Sequence, residues 1–304
     1  MIQTTHLTKR FGDKLAVDDL TISVEPGRVT GFLGPNGAGK STTMRLIMGL
    51  DHPTSGSVVV NGLPYYRHKS PLHEVGALLD AKAANPGRSA RNHLRILAAT
   101  EGIAPKRVDE VLDMTGLTSV ANKAVGAFSL GMGQRLGIAA ALLGDPKTLI
   151  LDEPINGLDI EGVLWVRNLV KQQAAAGKTV FLSSHLMSEM EQVADHLVIL
   201  GCGRLLTEKP MAEFIAESSG VSTRVASPQA TAIAEAAQQA GFVVKPAEPG
   251  VLTINAPANQ IGQMAASHGW VLHELTPRQI SLEDAYRKLT EGVVEYGATK
   301  EVAA

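Results

Sequence analysis

The sequence predicts an α/β fold with a β-rich start, a mainly parallel main sheet covered by helices, an inserted helical segment and a small second α/β domain. Two observations predict the main sheet. Short apolar strands alternate with helical patterns between residues 148 and 200, and a glycine-rich turn joins an earlier apolar strand to a helix. Strands that alternate with helices form parallel sheets covered on both faces. A third observation, a run of helical patterns between residues 89 and 144, predicts the inserted segment.

Length and composition indicate a globular protein. The 304 residues suffice for one large and one small domain, each with its own core. Hydrophobic residues make up 44% of the chain and charged residues 19%. The net charge of −2 gives no electrostatic case for nucleic acid, which usually needs a basic face. We therefore expect no nucleic-acid partner.

The single cysteine and the hydropathy pattern limit the cellular setting. Cys202 excludes an internal disulfide, and it is expected to pack in or beside a buried strand at 197–200. That use fits a reducing cytoplasm. No signal peptide is recognisable after Lys9 and Arg10, and no run of about 18 apolar residues could span a bilayer. A function at a membrane would need another chain for the spanning part.

Apolar patterns and turn signals give the elements of the large domain in order. Residues 1–33 are predicted to be β-rich, and Asn61-Gly62 is a hairpin-type turn. The predicted strands are 16–24, 29–33, 57–60, 75–79, 148–151, 179–183 and 196–200. The predicted helices are 41–50, 89–100, 105–114, 131–143, 160–176, 186–194 and 211–217. The helical insertion covers about residues 85–145 of a domain predicted at 1–217.

A smaller α/β pattern follows a predicted boundary at 218–220. Strands are predicted at 222–226, 242–245, 251–254 and 270–274, with helices at 229–240, 257–268 and 281–290. The second domain is therefore predicted at 221–290, followed by a tail at 291–304. It contains no phosphate loop and no acid–base pair in its sequence. An interaction or regulatory role is the favoured interpretation.

A phosphate-binding loop lies between the apolar run 29–33 and the next helix. Its spacing, G-x-x-x-x-G-K-S, occurs rarely by chance and indicates nucleotide binding. Glycines let backbone N–H groups surround a phosphate, and the helix dipole favours an anion. Lys40 would reach the β- and γ-phosphates, and the Ser41 hydroxyl would bind Mg²⁺. The predicted nucleotide-binding residues here are Gly34, Pro35, Asn36, Gly37, Ala38, Gly39, Lys40, Ser41 and Thr42.

Two carboxylates follow the apolar strand at 148–151. Ligands of open α/β sheets collect at the carboxyl ends of the strands. Asp152 therefore has the position of the acid that holds Mg²⁺ in phosphate-loop NTPases, and Glu153 that of a base that polarises a water. The alternative interpretation is an ordinary solvated acidic pair at a strand end. The phosphate-binding loop earlier in the chain makes this alternative less favoured.

A third stretch carries a family resemblance. The residues 128–135, Phe-Ser-Leu-Gly-Met-Gly-Gln-Arg, begin an alanine-rich helix for which Ser129 is a plausible N-cap. This stretch resembles the signature motif of ATP-binding-cassette ATPases. Asn156-Gly157-Leu158-Asp159 resembles the D-loop of that family, and Ser183-Ser184-His185 resembles its switch-histidine strand end. Six ordered motifs over about residues 1–215 carry the resemblance, which implies a phosphate-loop NTPase cassette.

The resemblance implies a dimer that sandwiches two ATP molecules head to tail. Ser129 and Gly131 of one chain would cap the γ-phosphate held by Lys40 of the other, where a helix N-terminus favours an anion. His185 would contact the γ-phosphate and keep the attacking water in line. Phe11 stands where the family places an aromatic ring that stacks on adenine. The D-loop residue Asp159 joins this set of nucleotide contacts.

The sequence departs from the family pattern at several positions. Leu130 replaces the first signature glycine, and Met132 replaces the usual glutamine. Ile155 and Ile160 replace a polar residue and a proline that flank the D-loop. Asp80 stands where many members carry a glutamine that contacts Mg²⁺; an aspartate also binds Mg²⁺ but is shorter. A loop acid at a strand end is the alternative interpretation of this position.

A narrower resemblance rests on three stretches: 76–80, 129–132 and 280–286. They resemble the ATPase subunits of bacterial drug and peptide-antibiotic exporters, of the daunorubicin- or bacitracin-resistance kind, which carry a small C-terminal domain. The predicted protein is thus an ATP hydrolase with Mg²⁺, bound to a membrane permease at the cytoplasmic face. A non-transport cassette ATPase of translation, repair or cluster assembly is the first alternative. A kinase with the same loop is the second, although it does not explain the ordered motifs.

Overall fold

A computed structural model describes residues 1–218, 222–278 and 281–290 of the chain. Among these residues the chain divides into two compact units, Met1–Met211 with Thr290, and Ala212–Leu289. The first unit ends six residues before the predicted end of the large domain at 217. The predicted tail at 291–304 and residues 219–220 of the predicted boundary lie outside the described residues. No described helix combines the length and the apolar character needed to cross a membrane.

The first unit contains nine described strands and seven described helices. The strands are β1 (Ile2–Phe11), β2 (Lys14–Val24), β3 (Val29–Leu33), β4 (Ser55–Val60), β5 (Val75–Leu78), β6 (Thr148–Leu151), β7 (Thr179–Ser183), β8 (His196–Gly201) and β9 (Arg204–Pro210). The helices are α1 (Lys40–Ile47), α2 (Pro71–Glu74), α3 (Ala90–Thr100), α4 (Pro105–Met114), α5 (Leu130–Leu142), α6 (Ile160–Ala175) and α7 (Met187–Val193).

The main sheet has the strand order β5-β6-β7-β3-β8-β9. Strands β5, β6, β7, β3 and β8 are parallel, and only β9 runs antiparallel to its neighbour. Every residue of β3, β6, β7 and β8 is buried, as expected for parallel strands covered on both faces. The predicted mainly parallel α/β sheet is confirmed. Because β3 lies inside the sheet, the loop that follows it opens among the carboxyl ends of its neighbours.

A second, antiparallel sheet of order β2-β1-β4 accounts for the β-rich start. Its apolar side chains share one core with α1 and the main sheet, in which Leu7, Leu20, Met44, Phe32 and Phe181 are fully buried. The two phenyl rings lie 4.7 Å apart between centroids. Full burial of each such side chain contributes about 1.5–3 kcal/mol. This core fixes β3 and α1, the two elements on either side of the glycine loop.

The turn between β8 and β9 corrects one expectation. Cys202 is exposed rather than packed in a strand, because β8 ends at Gly201 and the chain turns there. Cys202 and Gly203 have φ values of 49° and 81°, the left-handed pair that suits a two-residue hairpin. The sequence did not predict β9, whose residues are only partly buried and show no strict alternation.

The inserted segment forms three helices as predicted. Helices α3, α4 and α5 contact one another, and each contributes a buried leucine: Leu94, Leu112 and Leu136. Ser89 caps α3 by accepting a hydrogen bond from the Asn92 N–H. Helix α5 also contacts β5, the edge strand of the main sheet. The insertion is therefore attached next to β6, the strand that the two carboxylates follow.

The second unit has the order βαββαβ between two further helices. Its elements are α8 (Met211–Ser218), β10 (Ser222–Ala226), α9 (Ala230–Gln239), β11 (Val244–Glu248), β12 (Val251–Ile254), α10 (Ala258–His268), β13 (Glu274–Arg278) and α11 (Leu282–Thr290). The sheet is antiparallel with the order β11-β12-β10-β13, the ferredoxin-like arrangement. Val225, Ile233, Ile254 and Ile261 lie in its core.

The predicted strand at 270–274 is wrong. Gly269 ends α10 in the left-handed region, with φ 66°, and the Trp270 N–H donates to the carbonyl of Ala265. This hydrogen bond is typical of a helix that ends at a left-handed glycine, where the residue after the glycine donates back to the last turn. In this chain that residue is the apolar Trp270. Trp270 then packs against the core and stacks on His268 at 4.4 Å. The apolar run therefore belongs to the helix end, and the strand begins only at residue 274.

Candidate active site

The glycine loop connects β3 to α1 in the way that its spacing predicts. Gly39 precedes α1 with φ 99°, and a Cβ atom there would lie 2.4 Å from the carbonyl oxygen of Ala16. Only glycine fits this backbone without a shift. Ser41 and Thr42 follow in the first turn of α1, whose free N–H groups and dipole favour an anion above the loop.

The Lys40 side chain folds back over the loop. Its Nζ atom donates to the carbonyl oxygens of Gly34 at 2.6 Å and Pro35 at 3.2 Å, and the residue is only 8% exposed. Burial lowers the pKa of the Lys40 ammonium, and the nearby carboxylates of Glu153 and Asp152 partly oppose this shift. The ammonium is therefore held inside the loop with acceptors that phosphate oxygens could replace.

The Asp152 carboxylate lies beside the loop helix. The Ser41 hydroxyl donates to Asp152 Oδ2 at 2.8 Å, although β7 separates the strands that lead to these two residues. The Ser183 hydroxyl, at the end of β7, donates to the other carboxylate oxygen. The Ser183 oxygen also accepts the Glu153 N–H at 2.9 Å. One buried hydroxyl thus joins both acidic residues.

Glu153 has an unusual backbone. Its φ of 49° lies in the left-handed region, which costs a residue with a Cβ atom about 1–3 kcal/mol. The backbone is held by the Ser183 hydroxyl at its N–H and by the Gln134 side-chain amide at its carbonyl, 3.1 Å away. Its carboxylate Oε2 lies 2.7 Å from His185 Nδ1. The strand end of β7 therefore brings His185 to Glu153.

The signature stretch begins α5. Ser129 is the N-cap residue, and its hydroxyl accepts the Met132 N–H at 3.2 Å. Asp159 caps α6 in the same way and accepts the Gly162 N–H at 2.9 Å. No hydrogen bond between described residues connects Ser129 to the glycine loop of its own chain. The contacts predicted for Ser129 and Gly131 with a nucleotide of a second chain stay predictions.

Phe11 and Asp80 lie apart from this hydrogen-bonded set. Phe11 ends β1 with 49% of its surface exposed, and Lys9 Nζ lies 4.7 Å from its ring centroid. The ring is thus exposed, and its predicted stacking on adenine stays a prediction. The Asp80 carboxylate accepts the Lys82 N–H at 2.8 Å, and no hydrogen bond among the described residues joins it to Ser41 or Asp152. Its predicted Mg²⁺ contact stays a prediction.

Two contacts of the site were missed from the sequence. The sequence presents Ser183 only as part of the strand end before His185, and Gln134 only as part of the stretch 128–135. Neither contact can be found without the strand order, because Ser183 reaches Asp152 through the neighbouring strands β7 and β6. The only sign of the Ser183 contact in the sequence is a serine at the end of an apolar strand.

Together the glycine loop, the buried lysine and the acidic pair at the sheet edge define a phosphate-loop nucleoside triphosphatase. Bacitracin transport ATP-binding protein BcrA of Enterococcus faecalis is 32% identical over 305 residues, which cover 96% of this chain and 97% of that protein. A family model described as ABC transporter matches residues 17–156. The chain belongs to the ABC transporter family, as an ATP-binding and ATP-hydrolysing subunit.

Further comparisons agree with this assignment. Bacitracin transport ATP-binding protein BcrA of Bacillus licheniformis is 46% identical over 213 residues, 69% of this chain and 70% of its own. Lantibiotic transport ATP-binding protein SrtF of Streptococcus pyogenes is 34% identical over 209 residues, 69% of this chain and 90% of its own. These relatives favour the transport function over the non-transport and kinase alternatives. A second family model, described as a domain of unknown function, matches residues 221–283.

Solved structures give the same fold. The ATP-binding subunit of an ABC transporter superposes with a TM-score of 0.66 at 26% identity, covering 71% of this chain and 92% of its own. A dimeric bacterial ABC transporter cassette superposes with a TM-score of 0.63 at 25% identity, covering 69% and 99%. The predicted fold class, family and ATPase activity are confirmed, and subunits of this family work as dimers with membrane permeases.

Proposed function

We propose that this chain powers a bacterial exporter of drugs or antibiotics, as a peripheral subunit bound to a separate permease at the cytoplasmic membrane face. The named relatives support this cargo class, since they are bacitracin and lantibiotic transport proteins. One of them matches over 97% of its own length, second unit included. Specificity for the cargo would lie mainly in the permease.

The proposed ATP site combines this chain's loop with Mg²⁺ and a second copy. The Ser41 hydroxyl and the Asp152 carboxylate, 2.8 Å apart, are the hard oxygen donors that Mg²⁺ prefers. In the described part of the chain, no group of three or more His, Cys, Asp or Glu side chains is arranged to hold a metal ion. An ion held by Ser41 and Asp152 would complete its coordination with phosphate and water oxygens. When bound, Mg²⁺ neutralises charge on the transferred phosphoryl group.

Hydrolysis is proposed to use Glu153 as the base. Glu153 accepts a proton from a water whose oxygen bonds to the γ-phosphorus, while the bond from phosphorus to the leaving ADP oxygen breaks. Lys40 exchanges its two carbonyl acceptors for phosphate oxygens, and His185 turns toward the γ-phosphate. Ser129 and Gly131 of the second copy close the site from the opposite side. The observation that carries this assignment is the single Ser183 hydroxyl bonded to both acidic residues.

Glu153→Gln tests the catalytic assignment. We expect phosphate release to fall by about 10²–10⁴-fold, because a positioned base contributes that much, while ATP binding is kept. The variant should accumulate an ATP-bound dimer in size-exclusion chromatography. Glu235→Gln, on the exposed face of α9, is the matched control and should hydrolyse ATP normally. Wild-type turnover by the Glu153 variant would refute the base.

The transport assignment has its own test. The full chain carrying Glu153→Gln, used as bait with ATP in detergent-solubilised membranes, should recover a multi-span permease. Co-expression of that permease with the wild-type chain should raise the antibiotic resistance of a sensitive host, and Lys40→Ala should remove the gain. Recovery of ribosomes or DNA-repair proteins instead would favour a non-transport ATPase.

A further inference from the structure

The side-chain amide of Gln134 is buried but only half satisfied. The residue is 5% exposed, and its Nε2 donates to the backbone carbonyl of Glu153 at 3.1 Å. Its Oε1 atom is buried and has no hydrogen-bond partner. A buried amide with an unmet acceptor is unfavourable, so an apolar side chain of this size would be the better choice for packing alone. Compared with an apolar side chain, glutamine at this position adds an N–H donor to the Glu153 carbonyl.

The carbonyl that Gln134 contacts belongs to a backbone in an unfavourable conformation. Glu153 has φ 49°, and its peptide groups are held from outside the strand by Ser183 at the N–H and by Gln134 at the carbonyl. The Asn156 N–H donates to the same carbonyl at 3.2 Å. Left-handed backbone at a residue with a Cβ atom persists only where its surroundings hold it. Loss of one holding contact therefore allows the Glu153 carboxylate to change direction.

Helix α5 also meets the chain just after Glu153. A Cβ atom on Gly157 would lie 2.4 Å from Cδ2 of Leu130, and one on Gly131 would lie 2.8 Å from the Gly157 carbonyl oxygen. The leucine that replaces a family glycine thus lies directly on the D-loop. Together with the hydrogen bond from Gln134 to Glu153, these contacts join the first two turns of α5 to both ends of the segment 153–157.

We propose that Gln134 is a positioning residue for ATP hydrolysis. It holds the Glu153 backbone so that the carboxylate faces the attacking water, and it links that carboxylate to the position of α5. The N-cap at the start of this helix is Ser129, which in the proposed dimer meets the partner's nucleotide. The inference rests on the proposed catalytic function of Glu153. Binding of one nucleotide by the signature would then set the hydrolytic geometry for the other.

Gln134→Met removes the donor at nearly constant volume. We expect kcat for ATP to fall by about tenfold to a hundredfold, since a displacement of about 1 Å at a reacting group has that effect. The KM for ATP should stay within about twofold, and an ATP-bound dimer should accumulate. Gln172→Met, on the exposed face of α6, is the matched control. A kcat within twofold of wild type, or a loss of ATP-dependent dimers, overturns the proposal.

Gln134→Glu provides a readout that packing alone would not move. A carboxylate cannot donate to the Glu153 carbonyl, whereas a protonated carboxyl can, and burial raises the pKa of such a group. The ratio of wild-type to variant kcat should therefore shrink as the pH falls from about 8 to about 6. A ratio independent of pH overturns the proposal even if Gln134→Met does not fold. Failure of the proposed function itself would be seen separately. The wild-type chain would then not hydrolyse ATP, or the Glu153→Gln variant would hydrolyse it at the wild-type rate.

Discussion

His185 Nδ1 lies 2.7 Å from Glu153 Oε2, and the His185 backbone N–H donates to the same oxygen at 3.3 Å. One carboxylate oxygen of Glu153 is therefore engaged by both the ring and the backbone of His185. The His185 side chain is half exposed and that of Glu153 is 22% exposed. The pair is thus accessible to solvent, and the histidine is the more exposed of the two.

His185→Ala tests this relationship. Removal of the ring leaves Glu153 Oε2 with only the backbone N–H of residue 185 and removes the proposed γ-phosphate contact, so we expect kcat to fall about tenfold or more. ATP affinity, measured with a fluorescent nucleotide, should change by less than about threefold because the loop contacts remain. His52→Ala, at an exposed position, is the control. Equal losses in both variants would argue against a specific role.

Because the Lys40 ammonium is buried, we expect ATP binding to depend on pH. Burial holds its pKa below the ordinary 10.5, and bound phosphates should raise it again because they favour the ammonium. ATP binding should therefore take up a proton at alkaline pH, and affinity should fall as the pH rises through the pKa of the free protein. Calorimetry in two buffers with different ionisation enthalpies measures the uptake. Lys40→Arg should abolish it, and equal heats for the wild type in both buffers would contradict the mechanism.

Ser183→Ala should weaken both fold and activity. The substitution leaves the Glu153 N–H without its acceptor and removes a donor to Asp152, at a position that is fully buried. An unsatisfied buried group costs about 1–3 kcal/mol, which thermal denaturation should detect as a lower Tm. Ser188→Ala, on the exposed side of α7, serves as the control. A Tm equal to that of the control would show that the hydroxyl contributes nothing to stability.

Mixed dimers test whether the site is composite. Ser129→Arg places a bulky cation at the N-terminus of α5, and Lys40→Ala removes the loop ammonium. If each nucleotide lies between the loop of one chain and the signature of the other, a mixed dimer retains at most one intact site. We expect its ATPase activity per subunit to be at most about half of the wild type. Full activity per subunit would exclude the head-to-tail arrangement.

The sequence was sufficient for the parts of the fold that depend on local patterns. The glycine spacing identified the loop, and the apolar runs identified the parallel strands because buried strands leave a continuous apolar signal. It missed β9, where partial burial weakens the alternation. It placed a strand at 270–274, where Trp270 instead serves the end of α10 through its bond to Ala265.

The candidate site was predictable in its residues but not in its connections. Asp152, Glu153 and His185 each follow an apolar strand, so their place at one sheet edge could be inferred. The link between them is Ser183, and its role depends on β7 lying between β6 and β3. The left-handed backbone of Glu153 leaves no mark in composition or periodicity. Both are properties of strand order and tertiary contacts.

At position 153 the residue that best fits the backbone differs from the residue that hydrolysis needs. Glycine occupies φ near 49° without steric cost, so Glu153→Gly should make this turn easier to form while it removes the carboxylate. A chain selected for stability alone would carry glycine there. Libraries that select this protein for stability alone should therefore exclude position 153, because a stabilising glycine there would be inactive.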